Sequence, residues 1–129
     1  MIVLDTHAWV WWTSDPSKLS TRAREVADGH DEIGICSISC WEVAMLVERG
    51  RLELDREIDE WVGAALSQSR VRELPLTAAV AVRAAVLERE GFPPDPADRI
   101  IYATTRSEAA VMVTKDRAIR SFDGERTLW

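Results

Sequence analysis

The chain has 129 residues, 47% hydrophobic and 29% charged, with a formal net charge of −6. That composition is ordinary for a globular protein with a real core, and 129 residues suit one domain over 1–129. The acidity excludes a protein that grips nucleic acid by bulk charge alone, and no apolar run approaches the roughly 20 residues of a membrane span.

The opening "MIVLDTH" has no basic region and meets Asp5 early, so it does not read as a signal peptide. Cys36 and Cys40, four apart in an apolar segment, read as buried thiols. A cytoplasmic, reducing location is the expectation. In chain order, "IVL" (2–4) is a short strand run, Asp5 follows, and "THAWVWW" reads as a short helix. "DPSK" is a turn, and Ser20 or Thr21 caps a helix to about Asp28. "EIGIC" (32–36) is a second strand, followed by a helix from Ser39 to about Arg49 that Gly50 closes. Asp55 is the expected cap of a helix over about 56–67, with Ile58, Trp61, Val62, Ala65 and Leu66 inward. "VREL" (71–74) is a third strand, and Thr77 caps an alanine-rich helix ended by Gly91. Asp95 opens a helix to about Ser107, and "AVMV" (110–113) and "RTLW" (126–129) are the last strands, around a short helix from Arg117 to Ser121. Strands alternating with helices, the strand runs taken as apolar, predict an α/β fold with a mostly parallel sheet of about five strands.

In open sheets of this class, ligands bind beyond the carboxyl ends of the strands. Asp5 and Asp116 follow strand runs at that edge. Glu42 lies in the expected first turn of the helix leaving the second strand, and Asp98 in the first turn of the helix feeding "AVMV". Each acid also has an ordinary use. Glu42 stands three residues after Ser39 and Asp98 three after Asp95, the capping-box spacing, while Asp116 could cap a helix and Asp5 sit in a turn. Four acids sent to one edge are still a coincidence that capping leaves unexplained. Two carboxylates about 4 Å apart repel by about 4 kcal/mol at an effective dielectric near 20. Such a cluster needs protons or a cation, and an all-oxygen donor set suits Mg²⁺ or Mn²⁺ rather than zinc. Removing the four charges takes the chain from −6 to about −2.

"MIVLDTHAWVWW", "SISCWEVAMLVERGRLEL", "DPADRIIYATT", "VTKDRAI" and the final "TLW", in this order, resemble a PIN-domain ribonuclease of the VapC-type toxin group over essentially the whole chain. The resemblance implies a three-layer PIN-like fold and makes Asp5, Glu42, Asp98 and Asp116 the acidic quartet that binds Mg²⁺ or Mn²⁺. Thr6 and Thr114 match hydroxyl residues flanking that quartet. It also implies in-line hydrolysis of an RNA phosphodiester, a cognate antitoxin that could place an Arg in the open acidic site, and a homodimer. Ala97 stands where such toxins often have an aromatic residue, and Phe92, Pro93 and Pro94 where many carry a histidine. His7 reads as a structural or rim residue, and most of the six tryptophans as packing or subunit contacts.

Two other classes compete. Aspartyl phosphatases need two aspartates flanking one residue after the first strand, where this chain has Asp5-Thr6-His7, and a receiver's phospho-accepting Asp is absent from "EIGICSIS" and "VRELPLT". A non-catalytic interaction domain on the same fold is the third, and the complete quartet argues against it.

Overall fold

The computed structural model describes residues 1–129. Five short strands, β1 (Ile2–Leu4), β2 (Ile33–Cys36), β3 (Val71–Leu74), β4 (Val111–Val113) and β5 (Thr127–Leu128), form one sheet in the order β3-β2-β1-β4-β5. Every pairing is parallel, so the expected mostly parallel sheet is wholly so. The helices are α1 (Thr6–Ser14), α2 (Thr21–Gly29), α3 (Ser37–Glu48), α4 (Ile58–Leu66), α5 (Ala78–Val86), α6 (Pro96–Ser107) and α7 (Arg117–Phe122), with a 3₁₀ turn at Pro16–Lys18.

Strand alternation sends the buried residues into two cores. Ile2, Leu4, Ile33, Ile35 and Val113 face one side and pack with Ala8, Trp9, Ala23, Val43 and Trp61. Val3, Cys36, Leu74 and Met112 face the other, against Val80, Leu87, Ile101, Tyr102 and Ile119. Two helical layers therefore enclose the sheet, and central β1 and β2 are buried throughout. The edge strand β3 departs from the apolar pattern: Arg72 and Glu73 are exposed, and Arg72 pairs with Glu32 at 3.0 Å. Trp9 and Trp61 meet edge to face at 5.0 Å across the first core, worth about 0.5–1.5 kcal/mol beyond area burial.

Several boundaries differ from the sequence reading. The cap of α4 is Glu57 rather than Asp55, and its side chain makes no capping bond. The alanine-rich helix stops at Val86. Residues 88–91 then continue in tight turns, with Gly91 N–H bonded to Glu88 C=O and Gly91 at φ 88°. Cys36 is buried, but Cys40 only half-buried against the first core. Trp41 is 57% exposed, unlike buried Trp9 and Trp61. No helix is long and apolar enough to cross a membrane.

Gly34 in β2 is required by close approach: a Cβ there would lie 2.7 Å from Leu74 Cδ1 and 3.2 Å from Val3 Cγ2. Gly63, inside α4, faces open space. In denaturant titrations Gly34→Val should lose about 1–3 kcal/mol through overpacking. Gly63→Ala should gain about 0.5–1 kcal/mol through helix propensity. Equal effects at the two sites would contradict this packing.

Candidate active site

The strand order places a crevice where successive connections part. From β1 the chain passes to β2 and β3 on one side, then crosses to β4 and β5 on the other. The β1/β4 boundary is the switch point at which α/β sheets place ligands. Register sets Leu4 beside Val113, so Asp5 and Thr114 emerge side by side, and Asp5 N–H bonds Val113 C=O at 3.1 Å.

Around this crevice lies a pocket of about 350 Å³, lined by Asp5, Thr6, His7, Trp11, Glu42, Asp95, Asp98, Lys115 and Asp116. All four acids expected from sequence border it, each from a different element. A larger hollow of about 420 Å³, under Thr13, Leu54 and Trp61, contains none of them.

Asp5 and Asp116 each have two uses. Asp5 Oδ1 accepts from Ala8 N–H at 2.8 Å and caps α1; Asp116 Oδ1 accepts from Ile119 N–H at 3.0 Å and caps α7. Each leaves a second oxygen free of the capping bond. At α6 the labour is divided. Asp95 caps it by accepting from Asp98 N–H at 3.0 Å, and the Asp98 carboxylate, without any hydrogen bond or ion pair in the chain, is left to the pocket. The N-termini of α1, α6 and α7 thus converge with positive dipole ends toward the acids. Tyr102 on α6 ties the two later helices together, its hydroxyl donating to Asp123 at 2.6 Å just beyond α7.

Glu42 arrives differently. Helix α3 starts at Ser37 directly after β2, capped only by the Cys36 backbone. Glu42 therefore lies in the second turn, not the first, and the capping-box use of Ser39 does not occur. Ser39 is instead fully buried, on the face it shares with Glu42 at i,i+3 spacing. The Thr6 hydroxyl lies 3.0 Å from the Ser39 hydroxyl and donates to Glu42 Oε1. Thr6 thus fixes Glu42 across two helices, and buried Thr114, the residue beside Asp5 at the strand ends, accepts from Asp116 N–H at 3.1 Å.

Burial dominates the electrostatics. It pushes the Asp98 carboxyl up to about 7, and the charges of Asp95, Glu42, Asp5 and Asp116 add in that order. Burial likewise raises Asp5, opposed by its bonds from Thr114 and Ala8 and by His7, with Asp116 adding to the rise. Glu42 is raised by burial and by Asp95 and Asp5, opposed by Thr6 and His7. Burial pushes the Cys36 thiol up to about 12, which makes it inert rather than reactive.

Asp95 joins the cluster although its spacing suggested a cap alone. The usable signal was that a cap and its N3 residue open on the same end of one helix. His7 is exposed on the rim of the pocket, as the sequence reading allowed. Carboxylates and hydroxyls without a thiol suit a hard divalent cation. No three His, Cys, Asp or Glu side chains are grouped tightly enough to enclose an ion as they stand. Mutual repulsion favours that spread, and the donor chemistry, not the present spacing, argues the fit.

Such a fold and pocket define a class. The chain belongs to the PIN domain family, whose profile matches residues 2–125. It is 37% identical over 130 residues to Ribonuclease VapC22 of Mycobacterium tuberculosis (strain ATCC 25618 / H37Rv), covering 99% of this chain and 98% of that one. Among solved structures, VapBC2 from Rickettsia felis bound to a DNA fragment from its promoter shares the fold, with TM-score 0.71 and 19% identity over 99% of this chain and 98% of that one. A toxin-antitoxin complex from Klebsiella pneumoniae does so at TM-score 0.69 and 14% identity, covering 100% and 97% of the two chains.

The raised Asp98 gives a signed pH dependence. A carboxyl lifted from 3.8 to about 7 in the folded protein contributes stability that is fully present below 3.8, falls as pH rises from there, and is gone above about 7. In EDTA, wild type and Asp98→Asn should melt close together at acid pH, and the variant should melt higher above neutrality. Excess Mg²⁺ should reverse that order by mass action. A variant that melts lower than wild type in EDTA at alkaline pH would show a helix-start acid only.

Proposed function

We propose that this protein is a divalent-metal-dependent endoribonuclease, hydrolysing RNA phosphodiesters, and the toxin of a toxin–antitoxin pair. The observation that carries the reading is the meeting of Asp5, Glu42, Asp98 and Asp116, from four separate elements, at one pocket on the sheet's switch point. Likeness to a ribonuclease over nearly the whole chain supports RNA as substrate, and likeness in fold to a toxin-antitoxin complex supports an antitoxin partner.

These four carboxylates would hold Mg²⁺ or Mn²⁺, which when bound supplies the positive charge that offsets negative charge growing on the phosphate and leaving oxygen. The chain's own residues do the rest. Thr6 holds Glu42 in orientation by its hydrogen bond, and Thr114 holds the Asp116 backbone by accepting from its N–H. In the reaction a water oxygen bonds to phosphorus as the bond to the leaving oxygen breaks. The water's proton passes to a carboxylate of the cluster, and the leaving oxygen is protonated from solvent.

The toxin acts in the cytoplasm as a homodimer, with exposed Trp41 available to a subunit contact. Its antitoxin blocks the acidic pocket with a cationic side chain, an Arg being suited to paired carboxylates.

RNA cleavage should stop in EDTA and return with Mg²⁺ or Mn²⁺. Asp5→Asn, Glu42→Gln, Asp98→Asn and Asp116→Asn should each cost about 10²–10⁴-fold in kcat. Thr114→Val should cost about 10–100-fold by loosening Asp116, whose N–H the Thr114 hydroxyl holds. Cleavage that survives exhaustive chelation at full rate would remove the metal mechanism.

A further inference from the structure

The acidic pocket has a second wall of opposite character, formed by His7, Trp11 and Lys115. Trp11 is the one hydrophobic residue of the nine that line the pocket. It lies one turn after His7 on the same face of α1, with ring centroids 5.7 Å apart and planes at 52°. Trp129 supports it edge-on at 5.8 Å. Unlike Trp9 and Trp61, which the core buries, Trp11 is partly exposed.

Lys115 stands between Thr114 and Asp116, and its Nζ lies 5.6 Å from the centre of the Trp11 ring. With several carboxylates around the same pocket, it pairs with none of them; every ion pair in the chain is made by an arginine. It is also the only lysine or arginine lining the pocket. The carboxylates repel a phosphate chain, so the protein's own attraction for a polyanion comes from this wall. Lys115 lies over the Trp11 ring face and has no carboxylate partner, so it can move off to a phosphate as a nucleobase takes its place on the ring.

We propose that His7, Trp11 and Lys115 form a nucleotide subsite, in which one nucleobase of single-stranded RNA next to the scissile phosphate stacks on Trp11 and a neighbouring phosphate pairs with Lys115. This rests on the ribonuclease reading above. A base paired within a duplex keeps its faces in the helical stack, so the subsite selects unpaired segments.

The test compares wild type, Trp11→Leu, Trp11→Phe and Lys115→Met on a single-stranded oligoribonucleotide with a mapped cleavage point. A matched series carries one abasic nucleotide at each position around that point, and a duplex of the same sequence is a further substrate. Trp11→Leu should raise KM about tenfold with much less change in kcat, and Trp11→Phe should restore most of the loss. Wild type should pay a similar penalty for an abasic residue at one position, to which Trp11→Leu is indifferent. Lys115→Met should raise KM for every sequence and flatten its salt dependence. The duplex should be cut poorly by all four proteins.

An absent abasic penalty in wild type overturns the subsite whatever the variants do. So does a Trp11→Phe protein as impaired as Trp11→Leu, or an abasic penalty that Trp11→Leu pays in full. A wild type that cuts no RNA defeats the ribonuclease reading itself, and the subsite falls with it.

Discussion

Repulsion among carboxylates is the constraint on which the rest of this structure depends. Asp5, Glu42, Asp95, Asp98 and Asp116 are held around one partly buried pocket, where the other four all make Asp98 harder to ionise. An arrangement of this kind persists only if the surrounding fold over-determines it. The two apolar cores do so. Ile2, Val3 and Leu4 lock β1 from both faces and Asp5 leaves its end, while Met112 and Val113 do the same for the strand leading to Asp116. Stability made in the sheet is thereby set against strain at its edge.

Helix capping is how the chain delivers the acids without further cost. An Asp at an N-cap satisfies an otherwise unpaired N–H and sits where the helix dipole favours negative charge. Asp5, Asp95 and Asp116 all do this, so the same side chains end helices and build the pocket. Capping and chemistry are therefore not alternatives at Asp5 and Asp116. They are separated only at α6, where Asp95 caps and Asp98 stays free.

Much of this was legible in sequence because it depends on local order. An apolar triplet followed by an acid marks a strand end, as at "IVLD", and alternation of strand and helix runs placed those ends on one edge. Glu42 was found through connectivity, although its helix begins two residues before Ser39 and carries it in the second turn. The missing information there was tertiary: Ser39 is buried against Thr6 from α1, a contact no local rule anticipates. The cap of α4 moved from Asp55 to Glu57 for want of any side-chain bond to fix it. Trp11 was equally opaque, since six tryptophans look alike until the packing of α1 buries Trp9 and turns Trp11 to the pocket.

The central claim is that this pocket is a divalent-cation site, and diffraction from crystals soaked in Mn²⁺, recorded at the manganese absorption edge, tests it most directly. The account predicts an anomalous peak in the pocket, with oxygens of at least three of Asp5, Glu42, Asp98 and Asp116 drawn in to about 2 Å. Data of good quality with no peak there, or with manganese bound only elsewhere on the surface, would contradict it.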